Sequence, residues 1–171
     1  MKKFIILTML LVPVISLAGG YEGTPTVASV QIVRQEGLWY EINSETPFSG
    51  VVTRTFPSGQ KEFEYNYLNG KFHGYVRRWY ENGPIRREAI YVNGLSNGLE
   101  IVWHPNGQIA GMIQYVDGRP HGYQTRWYEN GVKYFETTYV HGQRHGILTA
   151  WYENGQKKSE TTNVYGKKMA F

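Results

Sequence analysis

Glycine recurs in this chain at a fixed step of 24 residues, and no other feature limits the fold as strongly. One series is Gly59, Gly83, Gly107, Gly131, Gly155. A second is Gly50, Gly74, Gly98, Gly122, Gly146, and a third is Gly70, Gly94, Gly118, Gly142, Gly166. The first series closes a pentapeptide, Trp-Tyr-Glu-Asn-Gly, at Trp79–Gly83, Trp127–Gly131 and Trp151–Gly155. Looser copies run Trp103–Gly107 and Thr55–Gly59. A step of this size means a stack of supersecondary units, each burying its apolar face against its neighbours.

Each unit reads as a β-hairpin. In Tyr75–Val92 an alternating run, Tyr75–Tyr80, meets a turn, Glu81-Asn82-Gly83, and returns along Ile85–Val92. A two-residue type I′ loop and a three-residue loop closed by a left-handed glycine would both serve. Pro57 and Pro105 hold the place of Glu81. Proline presets φ for the second position of a type I turn, which selects the three-residue loop. That loop pairs Tyr80 with Pro84, Trp79 with Ile85 and Arg77 with Arg87. It puts the Trp79, Trp103, Trp127, Trp151 column on one face with Tyr67, Tyr91, Tyr115 and Tyr139. The other face receives Arg54, Arg78 and Arg126 with Glu64, Glu88, Glu136 and Glu160. The fold class is then all-β: a single-layer antiparallel meander of about twelve strands. Five units span 49–72, 73–96, 97–120, 121–144 and 145–168, with 169–171 as a tail. A lead-in and a first hairpin, Val27–Val33 with Leu38–Ile42, fill 19–48 and start the sheet out of phase with the repeats.

Residues 1–18 read as a secretory leader. Lys2 and Lys3 precede the apolar run Phe4–Leu17, and Ser16-Leu17-Ala18 offers small residues for cleavage after Ala18. The expected location is the periplasm or cell surface. An absence of cysteine rules out disulfides and a lipidated cysteine. With 18 basic and 14 acidic side chains and no dense Lys/Arg run, nothing resembles a nucleic-acid-binding arm.

These repeats resemble MORN-type repeats, in a bacterial variant with a Tyr-Glu-Asn-Gly turn and a following His-Gly (His73-Gly74, His121-Gly122, His145-Gly146). The entry Gly37-Leu38-Trp39-Tyr40 with Pro47-Phe48-Ser49-Gly50 is similar to the start of the YwqK-like antitoxin family. The resemblance spans about residues 37–168. It implies a binding protein of immunity type, whose partner is a toxic protein effector. Unit three departs from the pattern with His104 and Gly111-Met112.

No catalytic constellation is present. The sequence has one aspartate, Asp117, inside a turn-forming Asp-Gly, and neither a nucleophile elbow nor a phosphate loop. Of the histidines, His73, His104, His121, His141 and His145, three recur with the repeat about two strands apart, too far for shared zinc ligation, and His141 and His145 are closer but lack carboxylate or thiolate company. No enzyme, metal or cofactor is therefore expected. Two departures from the repeat point to a protein-binding site instead. Unit two gathers Arg77, Arg78, Arg86 and Arg87. Unit three makes the tryptophan face wholly apolar with Leu99, Ile101, Trp103, Ile109, Ile113 and Tyr115, Gly111 leaving a gap. A basic spot beside an apolar strip supplies steering and a desolvated anchor. The alternatives are an envelope module that binds glycan or lipid headgroups on its aromatic face, and an assembly scaffold.

Overall fold

The structure, a computed structural model, describes residues 31–169; the leader and most of the lead-in lie outside them. Among the described residues fifteen strands follow one another without a helix. β1 (Ile32–Gln35) and β2 (Leu38–Glu41) form a two-stranded sheet of their own. The rest form one open antiparallel sheet. Its hairpins are β3 (Gly50–Thr55) with β4 (Lys61–Leu68), β5 (Lys71–Trp79) with β6 (Ile85–Val92), and β8 (Gly98–Trp103) with β9 (Ile109–Val116). They continue as β10 (Arg119–Trp127) with β11 (Lys133–Val140), and β13 (Gly146–Trp151) with β14 (Lys157–Val164). The short strands β7 (Leu95–Ser96), β12 (Gln143–Arg144) and β15 (Lys167–Lys168) pair with β6, β11 and β14. The single-layer meander of hairpins expected from the 24-residue step is what the chain forms.

The turn is the three-residue loop. In the fourth hairpin the Gly131 amide donates to the Tyr128 carbonyl at 3.0 Å and the Tyr128 amide to Val132 O at 2.9 Å. Gly131 has φ +81°, the left-handed region a β-branched residue resists. Between units the chain uses the other hairpin form. Asn93 and Gly94 are consecutive left-handed residues (φ +51° and +85°) joining paired Val92 and Leu95, as a type I′ loop requires.

Trp79 pairs with Ile85 as expected, but one residue later the ladder slips. Arg78 faces Arg87 and Arg77 faces Glu88, with Arg86 as an extra residue between Ile85 and Arg87. The same two-against-one bulge recurs in every hairpin, at Glu62, Ala110, Tyr134 and Lys158. It corrects the Arg77–Arg87 pairing and the faces with it. Because side chains alternate with period two, one extra residue turns the whole return strand over. The tryptophans therefore lie with the glutamates. The Lys61 ammonium sits 5.0 Å from the Trp79 ring centre and 2.7 Å from Glu64, and Lys133 lies 5.8 Å from the Trp151 ring and 2.6 Å from Glu136. The tyrosines of the return strands lie on the opposite face.

That opposite face carries the core. Phe48, Val52, Phe63, Tyr65, Tyr67 and Val76 are buried together, with Ile32, Trp39, Phe72 and Tyr91 packed against them. Phe63 stacks on Tyr65 at 4.3 Å, and Tyr67 meets Phe48, Phe72 and Trp39 at 4.8–6.1 Å between centroids. Burial pushes the Tyr67 phenol pKa well above its ordinary value. The β1–β2 hairpin does not extend the main sheet as expected; it docks beside the first repeats. Trp39 donates its amide to Gly70 O at 2.9 Å and accepts from the Phe48 amide at 2.8 Å. Gly70 makes the approach feasible, since a Cβ there would fall 2.9 Å from that of Leu38. The turn Asn43–Pro47 folds the chain back so that Tyr40 bridges Pro47 before β3 begins. With its backbone committed to the 39–48–70 junction, the hairpin cannot also join the sheet edge.

Candidate binding surfaces

The glutamate face is organised by one row across the sheet: Glu64, Arg77, Glu88, Ile101, Met112, Thr125, Glu136, Thr149, Glu160 are successive register partners. Arg77 stands between two carboxylates, 2.6 Å from Glu88 and 3.5 Å from Glu64. At the far end Lys157 bonds Glu160 at 2.6 Å and holds its pKa below the usual carboxylate range. Only in unit three is the row apolar, where Ile101 faces Met112.

Two residues along each outgoing strand from this row lies a second one, Tyr75, Leu99, Tyr123 and Ile147, which keeps the 24-residue step. These side chains are 42%, 40%, 72% and 54% exposed, respectively. The Arg77 guanidinium stacks on the Tyr75 ring at 4.1 Å. Large side chains scattered singly on a surface are ordinary, but a regular row beside an ion-pair row, exposed among the described residues, is a candidate contact surface.

The residues singled out from sequence divide between the faces. Arg77, Leu99, Ile101 and Trp103 share the glutamate face with Met112, which the sequence reading passed over. Arg78, Arg87, Ile113 and Tyr115 are on the core face, where the Arg86 bulge residue also packs, its guanidinium 5.7 Å from the Tyr80 ring. Ile109, 39% exposed, flanks its turn opposite Trp103. The wholly apolar strip is therefore not one strip, and the four arginines are not one cluster. The gap at Gly111 is narrowed by its register partner Arg126, whose Cγ would lie 3.3 Å from a Cβ there, and a hollow of about 100 Å³ remains beside them. Arg87 is bound by Glu100 at 2.9 Å and by the Tyr91 hydroxyl at 3.3 Å. Burial works against its charge, but these hydrogen bonds outweigh that and raise its pKa. Among the described residues neither Arg78 nor Arg86 has a carboxylate partner; Arg78 bonds the Tyr65 hydroxyl.

Arg78 and Arg86 line a hollow of about 450 Å³ on the core face. Its floor is Phe63, Tyr65 and Phe72, its side is Trp39 from the docked hairpin, and the Arg54–Glu62 pair closes one end. The sequence reading missed it because its walls come from three hairpins and no column announces it. Among the described residues no three histidines or carboxylates gather as metal ligands; His104 Nδ1 lies 3.9 Å from Glu129, His121 5.5 Å from His141 and His145 4.7 Å from Tyr165, the last two ring centre to ring centre.

Comparison with known proteins adds a family. The family described as the MORN repeat variant matches residues 72–93, 96–117, 120–141 and 144–162. These four stretches cover the second to fifth hairpins. No curated protein matches the chain. Among solved structures, a chain from the crystal structure of accessory secretory protein 1, 2 and 3 in Streptococcus pneumoniae is similar at 16% identity and a TM-score of 0.25. The match covers 71% of this chain and 21% of that one. A likeness at that level adds nothing about function.

Proposed function

Taking the chain as a MORN-repeat protein, we propose that it is an exported, non-catalytic binding protein that occludes a toxic protein effector, as an immunity-type antitoxin does. The observation that carries the binding role is the exposed row Tyr75, Leu99, Tyr123, Ile147 beside the apolar break Ile101–Met112. A sheet face with two exposed aromatic anchors, Tyr75 and Tyr123, beside an ion-pair row suits another protein's surface. The antitoxin role follows the resemblance at Gly37–Tyr40 and Pro47–Gly50, and export follows the leader at 1–18. The charge beside the row is Arg77, held by Glu88 and Glu64, whereas Arg78 and Arg86 stand on the opposite face, so the contact rests on the row itself rather than on charge steering.

The test is protection. Cells producing a toxic effector encoded beside this gene should grow when the chain is co-produced with its leader. They should not when Tyr75→Ala and Tyr123→Ala are combined. Protection by that variant equal to the parent's would refute the row as the contact surface. A chain that binds the effector without protecting would refute occlusion.

A further inference from the structure

The hollow on the core face is separate from the exposed row and has its own chemistry. Three guanidiniums, Arg54, Arg78 and Arg86, meet one carboxylate, Glu62, along its walls. Arg54 is committed to Glu62. Two cations therefore remain at the mouth without an anion among the described residues. The floor is the opposite in character. Phe63 and Tyr65 present stacked rings, Phe72 lies edge-on to Tyr65 at 5.5 Å, and Trp39 closes one side. The one floor hydroxyl with a partner, that of Tyr65, is taken by Arg78. A sugar would find few free hydrogen-bonding groups on such a floor, and an inorganic anion would leave it unfilled. The volume is within the roughly 300–1,000 Å³ typical of small-molecule sites.

We propose that this hollow binds a fatty carboxylate, with the alkyl chain on Phe63, Tyr65, Phe72 and Trp39 and the head group on Arg78 and Arg86. A guanidinium matches a carboxylate through paired N–H donors, so the two arginines fix the polar end. A flexible chain fits the irregular space between tilted rings better than a rigid ring system. The site makes no use of Tyr75, Leu99, Tyr123 or Ile147, so it stands whether or not the effector reading does.

The probe is dodecanoate, titrated below its micelle concentration into the full chain by calorimetry. Dodecanol and acetate serve as the chain-only and head-only comparisons. Dodecanoate should bind with one site per chain, at least tenfold tighter than either comparison. Combining Arg78→Gln with Arg86→Gln should weaken it at least tenfold, and Arg86→Gln alone, at an exposed side chain with no carboxylate partner among the described residues, should weaken it while leaving the thermal midpoint in place. Arg119→Gln, on the β10 edge of another unit, should change nothing. Absence of dodecanoate binding, equal binding of dodecanol, or undiminished binding by the double variant would each overturn the proposal.

Discussion

The Tyr128 hydroxyl donates to the Trp151 carbonyl oxygen at 3.1 Å, 23 residues further along and one repeat away. Tyr80 makes the same bond to Trp103 O at 2.7 Å, and His104, in the divergent repeat, reaches Trp127 O with Nε2 at 2.9 Å. In the three middle pentapeptides the aromatic second residue thus ties its turn to the next hairpin. On the other edge, Gly94, Gly118, Gly142 and Gly166 amides each donate at 2.8 Å to a carbonyl 22 residues earlier. In an array where each unit contacts only its neighbours, such links set cooperativity. Tyr128→Phe should cost about 0.5–1.5 kcal/mol in urea unfolding and broaden the transition. His104→Phe should behave the same way, and its loss of stability should match that of Tyr80→Phe.

The turns rank a second set of variants. Gly131→Val forces a β-branched residue into the left-handed region and should lower stability by about 2 kcal/mol or more. Glu129→Pro should be tolerated, because Pro57 and Pro105 occupy that place. Asn130 does more than the turn alone asks. Its side chain donates to Glu153 O and accepts from the Val132 amide, both at 3.0 Å. Asn130→Gly, mild if only the turn mattered, should therefore cost about 1–2 kcal/mol. Thermal midpoints of the three variants give the order directly.

Neighbouring arginines should differ sharply. Arg87→Met strands Glu100, whose side chain is only 16% exposed, and should cost about 1.5–3 kcal/mol. Arg86→Met removes a charge with no carboxylate partner among the described residues and should fall within about 0.5 kcal/mol of the parent. Chemical denaturation at neutral pH checks both.

Thr137 is 1% exposed, and its Oγ1 has no hydrogen-bond partner. Replacing it with valine keeps the shape and removes a buried polar atom. Thr137→Val should raise stability, by about 1 kcal/mol, whereas Thr138→Val on the other face should not. An unchanged or lower melting temperature for Thr137→Val would place an unseen partner at that hydroxyl.

The turn chemistry and the all-β architecture were legible because they repeat: Gly131 and Pro105 each carry a conformational requirement that recurs every 24 residues. The bulge was not. It is occupied by Glu62, Arg86, Ala110, Tyr134 and Lys158, side chains with nothing in common, since a bulge is a count of backbone residues rather than a chemical need. Missing it reversed the faces of every return strand, and with them the grouping of Ile113 and Tyr115 with Ile101 and Trp103. The docked hairpin was hidden for a different reason. The approach of Trp39 to Gly70 joins a residue outside the repeat to one inside it, so periodicity carries no trace of it. The hollow inherits that invisibility, because Trp39 forms its side. The exposed row needed no register at all: Tyr75, Leu99, Tyr123 and Ile147 stand 24 apart, but their mixed chemistry concealed the column.

The most direct test of the proposed binding role is the affinity of the full chain for a toxic effector encoded beside its gene, measured by calorimetry for the parent, for Tyr75→Ala with Tyr123→Ala, and for Tyr152→Ala as an exposed tyrosine outside the row. The account predicts at least a tenfold loss for the pair, through faster dissociation, and no change for Tyr152→Ala. Equal affinity of all three would contradict it.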